Sequence, residues 1–211
     1  WGSADRTIAE IDRCVQQLGF KGVYLFSNIN QKTLDSKEFW PVYKHIESLG
    51  IPMDMHPTAP INMNGIDHRP LVPGMAFMFD TTLATVRMVM SGVFEEYPEL
   101  KLIVPHTGGF VPFIQGRVGR MIDAWSSPDD WANLSDPSQE SFAKIYVDTV
   151  AHSSEALEYC YKVYGADKLL YGTDHPFAHF EVFNEMVDNL DCSESERELI
   201  NHGNAERILG L

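Results

Sequence analysis

Cysteine is scarce. Cys14, Cys160 and Cys192 are an odd number at wide, unpatterned spacings, which excludes a disulfide framework and a thiolate zinc knuckle and fits a reducing, cytoplasmic setting. Basic side chains are also few. Sixteen Lys and Arg against 30 Asp and Glu leave a formal charge of −14, which repels phosphate backbones and anionic lipid surfaces, so no nucleic acid or membrane partner is expected. No run approaches the roughly 18 apolar residues of a membrane span, and the N-terminus lacks the basic start and apolar core of a signal peptide. No Gly-x-Gly-x-x-Gly turn occurs, which removes the phosphate cradle of a dinucleotide-binding sheet.

What is present is ordinary globular material. With 44% hydrophobic and 22% charged residues, the 211 residues read as one domain, 1–211. Ile8, Ile11, Val15 and Leu18 recur at helical spacing, Gly19 stops the helix, and Gly22-Val23-Tyr24-Leu25-Phe26 reads as a buried strand. The pattern returns with a helical face of Phe39, Val42, Tyr43, Ile46 and Leu49, then Gly50 and a strand from Ile51 to Met55 leading to His56. A third helix carries Leu83, Val86, Val89, Met90 and Val93, is broken at Tyr97-Pro98, and precedes a strand Lys101–Val104 leading to Pro105-His106. Ile145–Asp148 and Leu169–Tyr171 supply two more strands around a helix marked by Ala156, Leu157, Cys160 and Val163, and helices near 196–200 and 205–209 end the chain.

Five strands alternating with helices, without a hairpin signal between them, predict a parallel α/β sheet, either doubly wound or part of a closed barrel. The polar residues favour the barrel, because His56, His106 and Asp174 each stand at or beyond the C-terminal end of a different strand, where barrel enzymes carry their chemistry. Gly65–Gly74, with Asp67, His68 and Arg69, is expected as a long loop on the same face, either covering substrate or a plain surface excursion.

Imidazole and carboxylate donors suit a catalytic divalent ion, so His56 and Asp174 are candidate metal ligands; taken singly, each could equally be a structural histidine and a loop acid. His106 precedes Thr107-Gly108-Gly109, whose glycines could bring backbone amides towards a ligand. That arrangement suits a general acid/base, or simply a tight strand-to-helix turn. Arg117 and Arg120 are candidate carboxylate clamps or solvated helix residues. Phe77, just past the loop, is a candidate substrate contact, and Asp148 a candidate support behind the site or an acceptor for nearby backbone. His45, His152, His175 and His179 read as surface or packing residues.

Taken together, Ile51–Pro57, Ser91–Pro98 leading to His106-Thr107-Gly108-Gly109 and Pro112-Phe113, Tyr171–Phe177, and the terminal Asn204–Leu211 resemble the amidohydrolase-related proteins. The resemblance points to the branch of aminocarboxymuconate semialdehyde and resorcylate-type decarboxylases. It implies a (β/α)8 TIM barrel of the metal-dependent hydrolase type, with one divalent metal, zinc or else manganese, held partly by His56 and Asp174. It further implies His106 as acid/base, Asp174 within the catalytic group, and Arg117 reaching a substrate carboxylate in a neighbouring subunit, hence a homodimer. The activity implied is removal of CO₂ from an unsaturated or aromatic carboxylic acid; the rival is hydrolysis of a lactone, ester or amide with the same residues. The His-x-His or Glu-x-His pair of the family's first strand is absent upstream of His56. The chain is therefore expected to hold the last five βα units of an N-terminally truncated barrel and to be inactive alone.

Overall fold

The computed structural model describes residues 3–66, 68–125 and 138–211. The first helix, Ala4–Leu18, is capped by Ser3, whose side chain accepts from the Arg6 amide, and stops at Gly19 in a left-handed conformation. Its apolar stripe, buried Ile11 with partly buried Ile8 and Val15, packs on the core. The chain then enters β1 (Val23–Phe26), followed by two short strands, β2 (Asn28–Ile29) and β3 (Lys32–Thr33). These last two pair antiparallel, a small hairpin that the sequence pattern did not announce. Its turn residues Asn30 and Gln31 both take positive φ, 53° and 65°, the geometry that two-residue hairpins need, but with Gln where Gly usually advertises it.

After the Trp40–Leu49 helix come β4 (Met53–His56), β5 (Leu102–Val104), β6 (Tyr146–Asp148) and β7 (Leu169–Leu170). The main sheet has the order β1-β4-β5-β6-β7, and every pair is parallel. Strands therefore sit beside their predecessors in chain order, without the reversal that a doubly wound sheet requires. This is the strand order of successive βα units in a barrel.

Alternation along the strands sorts the side chains onto two faces. Leu25, Met53, Met55, Leu102, Val104, Val147 and Leu169 point to the helical layer and are at most 2% exposed. Each is worth about 1.5–3 kcal/mol of burial. The opposite face runs in register through Tyr24, Asp54, Ile103 and Tyr146, with Phe26 beside His56. On this face Tyr24 and Phe26 are 56% and 48% exposed.

The third helix departs from expectation at both ends. Helical structure begins at Leu71, inside the stretch expected as loop, continues through a π-helical segment Val72–Ala76, and becomes α-helical over Phe77–Met90. Gly92, at φ 80°, then separates Val93 into a short helix of its own, Val93–Glu96. Gly74 lies within the π segment, so it does not end the loop as its residue type suggested. His68 and Arg69 are exposed in the turn before Leu71, whereas Asp67 lies outside the described residues.

Candidate metal centre

Three strands deliver the three polar side chains to one place. His56 is the last residue of β4, His106 follows β5 by two positions, and Asp174 follows β7 by four. One ligand atom from each lies within 4.8 Å of the others. Asp174 sits between the imidazoles: Oδ1 is 3.8 Å from His56 Nε2, and Oδ2 is 3.8 Å from His106 Nε2. Both separations exceed a hydrogen bond. The two rings meet edge to face at 5.7 Å, and Tyr24 stacks on His56 at 6.0 Å.

The backbone around them is held in unusual conformations. His106 and Thr107 have φ 54°, His152 φ 55° and Asp174 φ 52°, left-handed values at non-glycine residues just past strand ends. Such conformations persist only where the surroundings impose them, and they gather at functional sites. At His106 the imposition is visible. Asp148 Oδ1 accepts from the Thr107 amide at 2.8 Å and from the Val150 amide at 3.0 Å. Behind the turn, a Cβ on Gly109 would stand 2.7 Å from Thr82 Oγ1, and one on Gly108 would stand 3.0 Å from Val147 Cγ1. These glycines thus serve close packing of the turn. The expectation of amides facing a ligand is corrected for three of them, since the amides of Thr107, Gly109 and Phe110 bond to Asp148, to the His106 carbonyl and to Thr82 Oγ1.

The donor set fits a divalent cation. His56 Nδ1 lies 2.8 Å from the Pro57 carbonyl, which fixes the proton on Nδ1 and leaves the Nε2 lone pair facing Asp174. Among the described residues, the buried His106 Nδ1 has no hydrogen-bond partner. Two further carboxyls, Asp148 and Asp54, interact with this group. Burial raises the Asp148 carboxyl above its ordinary value, against the charge of His106 and the hydrogen bonds from the Thr107, His106 and Val150 amides. Asp54 keeps one flank open to solvent. Even so, the protein packed around its carboxyl and the charge of Asp148 push it up to about 6, with His56 opposing. A bound cation would favour the ionised form of both carboxyls. Asp54 was not anticipated, although it stands two residues before His56 on one strand and so shares its face.

Arg117 and Arg120 are exposed on the Val111–Trp125 helix, and Phe77, half-buried, opens its own helix. His175 and His179 are exposed, and the His152 ring meets Phe183 edge-on at 5.4 Å. His45 does have a partner, Asp12 Oδ1 at 2.8 Å, which its place in the sequence did not suggest.

Comparison with known proteins adds an independent line. A family model described as Amidohydrolase matches residues 2–211. A 2-amino-3-carboxymuconate-6-semialdehyde decarboxylase of Dictyostelium discoideum is 33% identical over 98% of this chain and 58% of its own length. A gamma-resorcylate decarboxylase of Polaromonas sp. is 30% identical over 96% of this chain and 65% of its own. Among solved structures, a dihydroxybenzoic acid decarboxylase from Polaromonas sp. JS666, with bound manganese and the inhibitor 2-nitroresorcinol, superposes with a TM-score of 0.88 at 26% identity. It covers 99% of this chain and 66% of that one. The chain thus spans less than two thirds of the length of these curated relatives.

Proposed function

The chain belongs to the amidohydrolase family, and from that premise we propose that its 211 residues form one domain of a metal-dependent decarboxylase of unsaturated or aromatic carboxylic acids. The observation that carries the reading is the convergence of His56, His106 and Asp174 from three strand ends. His56 and Asp174 would hold a divalent ion, zinc or the manganese found in the Polaromonas enzyme. Such an ion supplies Lewis-acid polarisation of a substrate oxygen.

The remaining steps belong to the protein. His106 delivers a proton to the carbon that carries the carboxylate. The C–C bond to that carboxylate then breaks, its electron pair returns to the substrate framework, CO₂ leaves, and the new C–H bond remains. The partly buried Asp148 holds the Thr107 amide and with it the turn that aims His106. Phe77 offers an aromatic wall for substrate, and Arg117 a guanidinium for a carboxylate. Arg117 is exposed one helical turn after Phe113, which is itself 81% exposed, and this supports a homodimer in which a second copy covers that face. Three free thiols support a reducing, cytoplasmic setting.

The test is CO₂ release from aromatic carboxylates by the whole protein. His106→Ala should lower kcat by at least about 100-fold, the low end for losing a general acid/base, while metal content stays unchanged. Unchanged turnover refutes the role of His106. Turnover of lactones or esters without CO₂ release refutes the decarboxylase reading.

A further inference from the structure

We infer that Asp80 is a positioning residue for His56, acting from another helix through a relay of hydrogen bonds that fixes which nitrogen of the imidazole is free. The inference rests on the reading of His56 as a metal ligand. Asp80 lies in the first turn of the Phe77–Met90 helix, directly after the π segment, and is 5% exposed. Among the described residues no cation lies within ion-pair distance of it. Its charge is met by three donors instead: Ser27 Oγ at 2.5 Å and Asn28 Nδ2 at 3.1 Å on Oδ2, and the Ile61 amide at 3.0 Å on Oδ1. Burying a carboxylate is costly unless its acceptor sites are filled. An apolar side chain would pack a helix against a loop without that cost, so the arrangement calls for a reason.

The reason lies in what the donors hold. Ser27 follows β1, Asn28 opens β2, and Ile61 lies in the loop that leaves β4 after His56. The Ser27 amide donates to the His56 carbonyl at 3.0 Å, Asn28 Nδ2 donates to the Ala59 carbonyl at 2.9 Å, and the Thr58 amide donates to Ser27 Oγ at 3.4 Å. One carboxylate therefore ties down most of residues 56–61. The decisive link is the peptide between Pro57 and Thr58. A trans peptide is planar, with its N–H and C=O on opposite sides. Ser27 Oγ anchors the N–H of that unit, and its C=O is the one facing His56 Nδ1 at 2.8 Å. The Ser27 hydroxyl has one proton. Because it gives that proton to Asp80, its lone pair must face the Thr58 N–H. A peptide N–H only donates and its C=O only accepts, so what Asp80 fixes through Ser27 is the placement of this peptide, which keeps the Pro57 carbonyl against His56 Nδ1 and with it the proton on Nδ1 and the lone pair on Nε2.

The experiment reads the tautomer directly. Ring-nitrogen NMR of His56, with the imidazole neutral and no metal added, should show Nδ1–H in the parent chain. Asp80→Asn keeps the shape but turns an amide donor towards Ser27, and Ser27→Ala removes the relay while leaving the carboxylate. Both should raise the Nε2–H population and weaken zinc or manganese binding by about 10- to 100-fold, the range for loss of support behind a metal-bound histidine. Arg87→Ala, which breaks a separate partly buried ion pair, should lower stability and leave the tautomer unchanged. If both relay variants fold and retain Nδ1–H and parental affinity, Asp80 is structural only and the inference fails. It also fails if Arg87→Ala shifts the tautomer equally. If the parent binds metal no better than His56→Ala, the metal reading falls, and the tautomer measurement still decides whether Asp80 controls the ring.

Discussion

Replacing Gly109 with alanine tests whether the turn behind His106 is as tightly built as its geometry indicates. Gly109 has φ 63° and ψ −129°, a region that side-chain-bearing residues scarcely enter. Holding alanine there costs about 1–3 kcal/mol. A Cβ would also lie 2.7 Å from Thr82 Oγ1 and 3.2 Å from the Met78 carbonyl oxygen. Thr82 has little room to yield, because its hydroxyl donates to that same Met78 carbonyl at 2.7 Å and accepts from the Phe110 amide at 2.8 Å. Displacing it loses two hydrogen bonds of about 1 kcal/mol each. The sum is about 3–5 kcal/mol, or a fall in Tm of roughly 6–20 °C for a chain of this size. Gly116 provides the control. It lies exposed in the Val111–Trp125 helix with no atom of the described residues within 4 Å of where an added methyl would sit, so Gly116→Ala should stabilise by about 0.5–1 kcal/mol. Denaturant or thermal melts of both variants decide the matter. A Gly109→Ala midpoint equal to that of the parent refutes the steric argument, as does a Gly116→Ala variant that is equally destabilised.

Removing either proposed ligand should empty the site: His56→Ala and Asp174→Ala are expected to lose bound metal in elemental analysis, and full occupancy in both would defeat the ligand assignment. Where the chain does bind metal, a free concentration of about 100 times Kd adds roughly 2.7 kcal/mol, so chelation should lower Tm by about 5–10 °C. No shift on chelation would mean that the ion does not stabilise the fold. The partly buried pair of Asp35 and Arg87 predicts acid sensitivity of known sign. Burial pushes the Asp35 carboxyl up, but hydrogen bonds from Arg87 and Thr33 and the guanidinium charge outweigh it and leave the group below its ordinary value. Its contribution is therefore complete above about pH 4, the unfolded value, and is lost as pH falls through the lower folded value. Asp35→Asn should cost about 3 kcal/mol at neutral pH and flatten the acid limb of the stability profile; an unchanged acid limb would refute the sign.

Much of the fold was legible because its signals are local. Period-3.6 stripes ended by Gly19 and Gly50, and short apolar runs before His56 and His106, mark each βα unit wherever it packs. The β2–β3 hairpin escaped because Asn30-Gln31 reaches positive φ without a glycine to announce it. The helical start at Leu71 escaped because Pro73 and Gly74 read as loop, yet both are accommodated in the π segment.

For the site, residue type and position at strand ends were enough to select His56, His106 and Asp174, because those properties are local as well. Their approach to within 4.8 Å depends on strand order and register, which are long-range choices. The choice between a barrel-like and a doubly wound sheet was likewise decided by tertiary pairing. Asp54 meets the charge of Asp148 only once β4, β5 and β6 pair in register, and the link from Asp80 to His56 spans 24 residues of chain. A hydrogen bond needs two groups within about 3 Å, and no local propensity states which distant segment supplies the second. The sequence by itself therefore determined the elements and the chemical candidates, whereas packing of the helices onto one face of the sheet decided which groups meet and which nitrogen of His56 is left free.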